Sequence, residues 1–300
     1  MRYTICLMAF LIIHVNGICA PADSATEPQK RIKRYKVNYW VTGSIIGVGM
    51  LSDYFAIGRL KNKPSLSQAE LDFVSSPEQI NLMTSIDRWA LEQNPDTKGL
   101  WRDISDYGQT AIFLLPSLLM IDKEMRKDWY DLLLMYLEGH TVTFTFYNYS
   151  PLGPTFHNRL RPITYYPEFS AEERLSGHNR NSFYSGHVAS VSFTSFFMVK
   201  VYCDYHPNLG AVKYLLYLGA AIPPLFIGYA RIRALAHFPS DDLVGLALGA
   251  VIGIVLPELH KNPKFKNLSL GMFSSPEGTG VTMRYNLSFP KKINYESNSN

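Results

Sequence analysis

A succession of apolar runs, separated by polar stretches, constrains this chain more than any other feature. The runs fall at 39–58, 107–121, 129–149, 188–203, 213–230 and 243–259. Segments of this length are helices rather than strands. They are close to, and mostly short of, the roughly 20 residues that cross a bilayer. Asp53, Asp131, Glu138 and Lys200 lie inside the runs. Helices buried in one another accommodate such charges as well as a membrane does, so an integral membrane bundle and a soluble one both remain open. Either way the expectation is an all-α fold, a bundle of about six core helices. After residue 260 the pattern alternates: "LSLGMF" and "GVTMRYNLSF" flank "SSPEGT", which predicts a small C-terminal β-hairpin.

The chain begins with a targeting pattern. "MRYTICLMAFLIIHVNGICAPA" has an early positive charge, an apolar stretch and small residues at Ala20-Pro21-Ala22, so residues 1–22 read as a signal peptide cleaved after Ala22. Cys6 and Cys19 leave with it, and the remaining Cys203 can form no intramolecular disulfide. Residues 23–106 read as a leader, carrying the basic "KRIKRYK", and a helical extension; 107–260 as the core; 261–300 as a β appendage and tail. With 47% hydrophobic residues the core is well supplied, and a net charge of +4 without a basic stripe excludes nucleic acid as a partner.

Three polar clusters sit at the ends of apolar runs. In "YARIRALAHFPSDDLVG", Arg231 is followed by His237, and Asp241 lies one helical turn beyond the histidine. A carboxylate against one imidazole nitrogen fixes the tautomer and makes the other a better nucleophile. The same stretch is also an ordinary helix start with Ser240 as N-cap. In "SFYSGHVASV", Ser185, Gly186 and His187 stand where a loop becomes a helix, and a helix N-terminus suits a phosphate. In "NRLRPITYYPE", Arg159 and Arg161 offer planar forks for phosphoryl oxygens. An alternating path of helices brings these run ends to one side. Together they supply an anion clamp, a nucleophile and a general acid for phosphoryl transfer through a phosphohistidine.

With these motifs the chain resembles the type 2 phosphatidic acid phosphatase superfamily, which includes class A acid phosphatases and vanadium haloperoxidases. The family pattern is Lys-x6-Arg-Pro, then Pro-Ser-Gly-His, then Ser-Arg-x5-His-x3-Asp. Arg161-Pro162, Ser185-Gly186-His187, and Arg231, His237 and Asp241 match it; Pro154, Tyr184 and Ala230 replace its lysine, proline and serine. The resemblance implies His237 as nucleophile with Asp241 holding its imidazole. It makes His187 the group that protonates the leaving oxygen and activates water, and Arg161, Arg231, Ser185 and the Gly186 amide the phosphate cradle. No cofactor and no metal are implied. In an extended segment Arg159 points the same way as Arg161, so Arg159 is the expected substitute for the family lysine, with Arg180 in reserve. The expected activity is metal-independent hydrolysis of a phosphomonoester or diphosphate, with a phosphorylated lipid as first choice of substrate. A soluble periplasmic acid phosphatase on small phosphate esters is the alternative, and a non-catalytic phospholipid-binding protein a third reading. The expected location is a bacterial-type envelope, at the inner membrane with the site facing the periplasm. A cleaved signal starts the mature chain outside, so the run at 39–58, with Asp53 in its middle, is expected not to cross.

Overall fold

The computed structural model describes residues 31–263, 268–275 and 278–285; the expected signal peptide lies outside them. Each apolar run is helical. We label the long helices α1 (Tyr39–Lys61), α2 (Lys98–Phe113), α3 (Trp129–Tyr149), α4 (Gly186–Tyr205), α5 (Val212–Ala220), α6 (Ile222–Arg233) and α7 (Pro239–His260). α2 continues through a 3-10 segment to Ile121, and α5 and α6 together form one pass. Among the described residues the chain therefore makes six passes in alternating directions. At one end the Lys36 amide donates to His260 O and Tyr205 Oη to Asp128. At the other, the Ser185 amide donates to Asp241 O and Asn181 Nδ2 to Leu60 O. All three polar clusters fall at this second end.

The tightest helix pair is α4 with α7, and its cause is a stripe of glycines four residues apart. A Cβ on Gly245 would lie 2.6 Å from Ser185 O, one on Gly249 2.2 Å from Ala189 O, and one on Gly253 2.8 Å from Phe193 O. Only small residues in this register let two helix backbones touch. Around this contact Met135, Tyr136, Phe193, Phe197 and Leu256 build the main core, with Tyr136 and Phe193 stacked at 5.8 Å.

The charges inside the runs are partnered across helices. Asp131 receives Lys33 Nζ and Tyr39 Oη, both at 2.7 Å. Glu138 receives Thr42 Oγ1 at 2.7 Å and faces His260 Nε2 at 3.0 Å. Lys200 donates to Glu258 at 2.7 Å. Asp53 accepts from Asn148 Nδ2 at 2.9 Å and Thr145 Oγ1 at 3.2 Å. This last contact corrects one expectation. Asp53 does not argue against a crossing helix, because α1 runs alongside α3 from one end of the bundle to the other and turns the carboxylate inward. Its outer side exposes Trp40, Val48, Leu51, Tyr54 and Phe55. Among the described residues four stretches, Tyr39–Lys61, Pro95–Ile121, Val212–Arg233 and Pro239–His260, are long and apolar enough to cross a membrane.

Residues 62–97 form short helices over the site end, and the polar insertion 150–185 lies against them. Leu66 N donates to Leu175 O, and a Cβ on Gly177 would collide with Lys63 O. The boundary drawn at 106/107 from the sequence falls inside α2, which packs on α4 and α6, and the described residues from Lys33 onward form one compact unit. Beyond α7 the chain forms two antiparallel strands, Leu268–Ser275 and Gly278–Tyr285.

The glycine contact generates a prediction. Gly249→Leu should destabilise the purified protein by about 3 kcal/mol, the upper range for overpacking, read as a lowered Tm. Gly219→Leu, where a Cβ meets nothing within 4 Å, should leave Tm nearly unchanged; equal effects of the two would refute the packing argument.

Candidate active site

His237 sits in the short connection between α6 and α7. Leu235, buried and in the left-handed region (φ 56°), turns this connection sharply, so that the Ala236 amide returns to Arg231 O at 3.0 Å. A leucine there costs on the order of 1 kcal/mol, which the fully buried side chain offsets. The turn brings Arg231 and His237 to one cavity. The helix start differs from the Ser240 cap expected from sequence. Phe238 is the N-cap residue, and Asp241 Oδ2 accepts from its amide at 2.8 Å.

The imidazole of His237 is fixed by a backbone group. Its Nδ1 donates to Ser182 O at 2.7 Å. A carbonyl only accepts, so Nδ1 carries the proton and Nε2 keeps its lone pair. Asp241 was expected to make this contact; its Oδ2 stays 3.9 Å from Nδ1. The carboxylate is taken up instead by Phe238 N, by Ser182 Oγ at 2.6 Å and by Arg159. Asp241 thus acts on His237 through Ser182, whose hydroxyl it holds while the carbonyl of the same residue holds the ring. Burial, with Arg231 and Arg161 nearby, pushes the His237 pKa well below 6.5, so the ring is neutral near pH 7.

The cavity beside His237 measures about 370 Å³. Arg231 and His237 are buried at its floor, Arg161, Gly186 and His187 are half-buried around it, and Tyr147 lies under Gly186. Tyr184, standing where the family has proline, packs edge-on against Tyr147 at 5.4 Å. Gly186 opens α4, whose first amides have no partner within the helix. Arg161 is held by its backbone amide on Asn179 O at 2.9 Å. Among the described residues no carboxylate lies within ion-pair distance of its guanidinium, and its Nε is buried without a hydrogen-bond partner. Burial and then Arg231 push its pKa down to about 10, which leaves it charged at neutral pH. An anion is the group this arrangement accepts.

Two expected cradle residues lie elsewhere. Ser185 is fully buried, faces Asp242 and does not line the cavity. Arg159 points away from Arg161: NH1 donates to Ser240 Oγ at 2.7 Å and to Asp241, NH2 to Asp87 at 2.8 Å. Asp87, Ser240 and Asp241 draw Arg159 to themselves, and the two guanidinium groups serve different sites. The reserve candidate, Arg180, is equally occupied, by Glu70 and by Pro64 O. The substitution of Pro154 for lysine is thus not made good by either arginine.

Sequence reasoning missed two groups, Asp106 and Lys61, and reads a third, His178, as structural. Asp106, on α2, bridges His187 Nε2 and Arg231 NH1, each at 3.2 Å, and so orients both. His178 and Lys61 line the cavity. Asp106 carried no legible signal, since its partners are more than 80 residues away. Lys61 could have been suspected as a cation closing an apolar run.

Arg159→Ala should act on stability. Removing it leaves the buried Asp241 carboxylate short of a partner, at a cost of about 2–3 kcal/mol, moderated because the guanidinium is partly exposed. Tm should fall, with kcat/KM at permissive temperature changing much less. A stable variant with lost activity would return Arg159 to the cradle.

Residues 132–264 match the PAP2 superfamily. No curated protein matches the chain. Among solved structures the chain is similar to a transmembrane PAP2-type phosphatidylglycerolphosphate phosphatase from Bacillus subtilis, at 16% identity over 71% of this chain and 94% of that one, with a TM-score of 0.40. Every matched motif residue lies inside 132–264, the segment that is similar to the PAP2 superfamily.

Proposed function

We propose that the protein is a phosphatase that hydrolyses a phosphomonoester or diphosphate of a lipid, without a metal ion, through a phosphohistidine at His237. The observation that carries this reading is the convergence of Arg161, Arg231, the α4 N-terminus, His187 and His237 on one cavity. Arg161, Arg231 and the Gly186 amide neutralise the phosphoryl oxygens. His237 Nε2 forms the bond to phosphorus while the bond to the leaving oxygen breaks, and His187 gives that oxygen a proton. His187 then takes a proton from water, whose oxygen attacks phosphorus; the N–P bond breaks, releasing phosphate and neutral His237. A lipid substrate is favoured over a small ester because Ile57 and Phe144, exposed apolar residues at the cavity, adjoin helices apolar enough to cross a membrane.

Rapid quench with radiolabelled substrate should trap an acid-labile, base-stable phosphoenzyme, absent in His237→Ala. His187→Ala should lose about 10²–10⁴-fold in turnover. Because the His237 pKa lies below 6.5, its nucleophilic neutral form persists as pH falls past that value. The acidic limb of kcat/KM set by this group should therefore lie below pH 6.5. Full activity of His237→Ala would end the proposal.

The same reading includes an orientation. Lys33, Lys36 and Lys261 lie at the end opposite the cavity, as do Lys123, Arg126 and Lys127 between α2 and α3. Basic loops favour the cytoplasm, so the reading places the active site on the periplasmic side, with α1 crossing. Signal cleavage after Ala22 would put residues 23–38 outside and, with α1 crossing, the site on the cytoplasmic side; the reading therefore does without that cleavage. In a background with Cys6, Cys19 and Cys203 all changed to Ser, a cysteine at Ser170 should react with a membrane-impermeant reagent in intact spheroplasts, and one at Asn208 should be protected. The reverse pattern would turn the protein over.

A further inference from the structure

Pro154 leaves the cavity without the cation of the family pattern, and Arg159 and Arg180 are both engaged elsewhere. What packs against this position shows what stands in its place. Gly153 lies so close on the end of α3 that a Cβ there would come 1.9 Å from Tyr147 O. The stretch carrying Pro154 is therefore seated on the backbone of Tyr147, whose side chain lines the cavity.

Tyr147 rises under the anion site. Its ring runs beneath Gly186, where a Cβ would meet Cε2 at 3.2 Å and Cζ, the carbon that bears the hydroxyl, at 3.3 Å. The charges that bear on the phenol are, in order, those of Arg161, Arg231 and Asp241. Its hydroxyl makes no hydrogen bond among the described residues. Other hydroxyls on α3 are engaged: Tyr136 donates to Phe113 O and Tyr149 to Ser52 O, both at 2.8 Å. A half-buried donor without an acceptor is costly, and a ligand in the cavity would supply one. Tyr184, itself 1% exposed, braces the ring edge-on at 5.4 Å and 89°. The departures from the family pattern at positions 154 and 184 thus meet at one side chain.

Resting on the phosphatase reading, we propose that Tyr147 is a further phosphate-binding residue, whose hydroxyl donates to an oxygen of the transferred phosphoryl group in place of the missing cation. A phenol donates without carrying a charge. The cradle then consists of two guanidinium groups, the Gly186 amide and one neutral donor. A donor fixed before the substrate arrives stabilises the charge that develops on the phosphoryl oxygens without having to reorganise. The hydroxyl keeps its proton throughout, and the leaving oxygen still receives its own from His187.

The test measures phosphate release from farnesyl monophosphate in detergent micelles, inhibition by orthovanadate, a five-coordinate mimic of the phosphorus in transit, and Tm. The parent, Tyr147→Phe and Tyr149→Phe are compared. Tyr147→Phe keeps the ring under Gly186 and removes only the donor. Expected is a Tm close to the parent's and a fall in kcat/KM of about 10²-fold, the scale of one lost oxyanion donor, with the orthovanadate inhibition constant raised at least about tenfold. Tyr149→Phe, which loses a structural bond to Ser52 O, should lower Tm and leave kcat/KM and inhibition near the parent's. Parent-like kcat/KM and inhibition in Tyr147→Phe would overturn the proposal. So would a fall in kcat/KM with inhibition unchanged, or one accompanied by a lowered Tm. In those cases phosphate release by the parent, abolished by His237→Ala, keeps the phosphatase reading standing. No release by the parent would overturn that reading, and the assignment of Tyr147 with it.

Discussion

The backbone contact between α4 and α7 is the constraint on which the rest depends. Gly245, Gly249 and Gly253 let α7 lie directly on the carbonyls of α4, beginning at Ser185. The contact begins at the first residue of α4 but beyond the first turn of α7, so the start of α7 reaches past that of α4, and the Ser185 amide closes the join on Asp241 O at 3.1 Å. The loop before each helix is then forced into the same small volume. One brings Ser182 and Gly186, the other Arg231 and His237. A larger residue in the glycine stripe would move one helix end relative to the other. Placement within about 1 Å is the scale that matters for catalytic groups.

Around that join, a chain of polar contacts holds the nucleophile. Asp87, from the segment between α1 and α2, accepts from the Ser240 amide at 3.0 Å and from Arg159 at 2.8 Å. Arg159 holds Asp241, Asp241 holds the Ser182 hydroxyl, and the Ser182 carbonyl holds His237. A buried carboxylate is costly unless its lone pairs are filled, and here three donors fill them. The imidazole itself meets a neutral carbonyl, which orients the ring without adding a full negative charge at Nδ1. Together with burial and two guanidinium groups, this favours the neutral ring needed for attack on phosphorus.

The parts legible in the sequence were those whose information is local. The run pattern named the six passes, since periodicity and length are properties of contiguous residues. The spacing from Arg231 to His237 survives because a single turn at Leu235 folds it. The parts that were not legible depend on where distant segments meet. Arg159 was read as a partner of Arg161 because alternation places i and i+2 on one face, yet tertiary contacts with Asp87 and Asp241 decide its direction. Asp241 was placed on His237 from its helical spacing; the spacing is real, but the carboxylate finds donors nearer than the ring. Asp53 was read as a bar to crossing, although a charge turned toward Asn148 is no longer a charge in lipid. The glycine stripe was present as G-x3-G-x3-G in "GLALGAVIG" and is the signal that could have announced the α4–α7 join.

The two ends of the bundle divide the work. At the end away from the cavity, Lys200, Asp204, Glu258 and Lys261 pair with one another and with Tyr35. Those groups spend their charge on joining helix ends and have none to offer a ligand. At the cavity end the balance is reversed, because Arg161 has no carboxylate partner among the described residues and Arg231 shares Asp106 with His187. Substrate binding must then supply the missing negative charge. Since the number of passes between one motif and the next is even, any change that reversed one helix would separate the arginines from the histidine they serve. The same alternation that buries the apolar runs therefore also assembles the anion site.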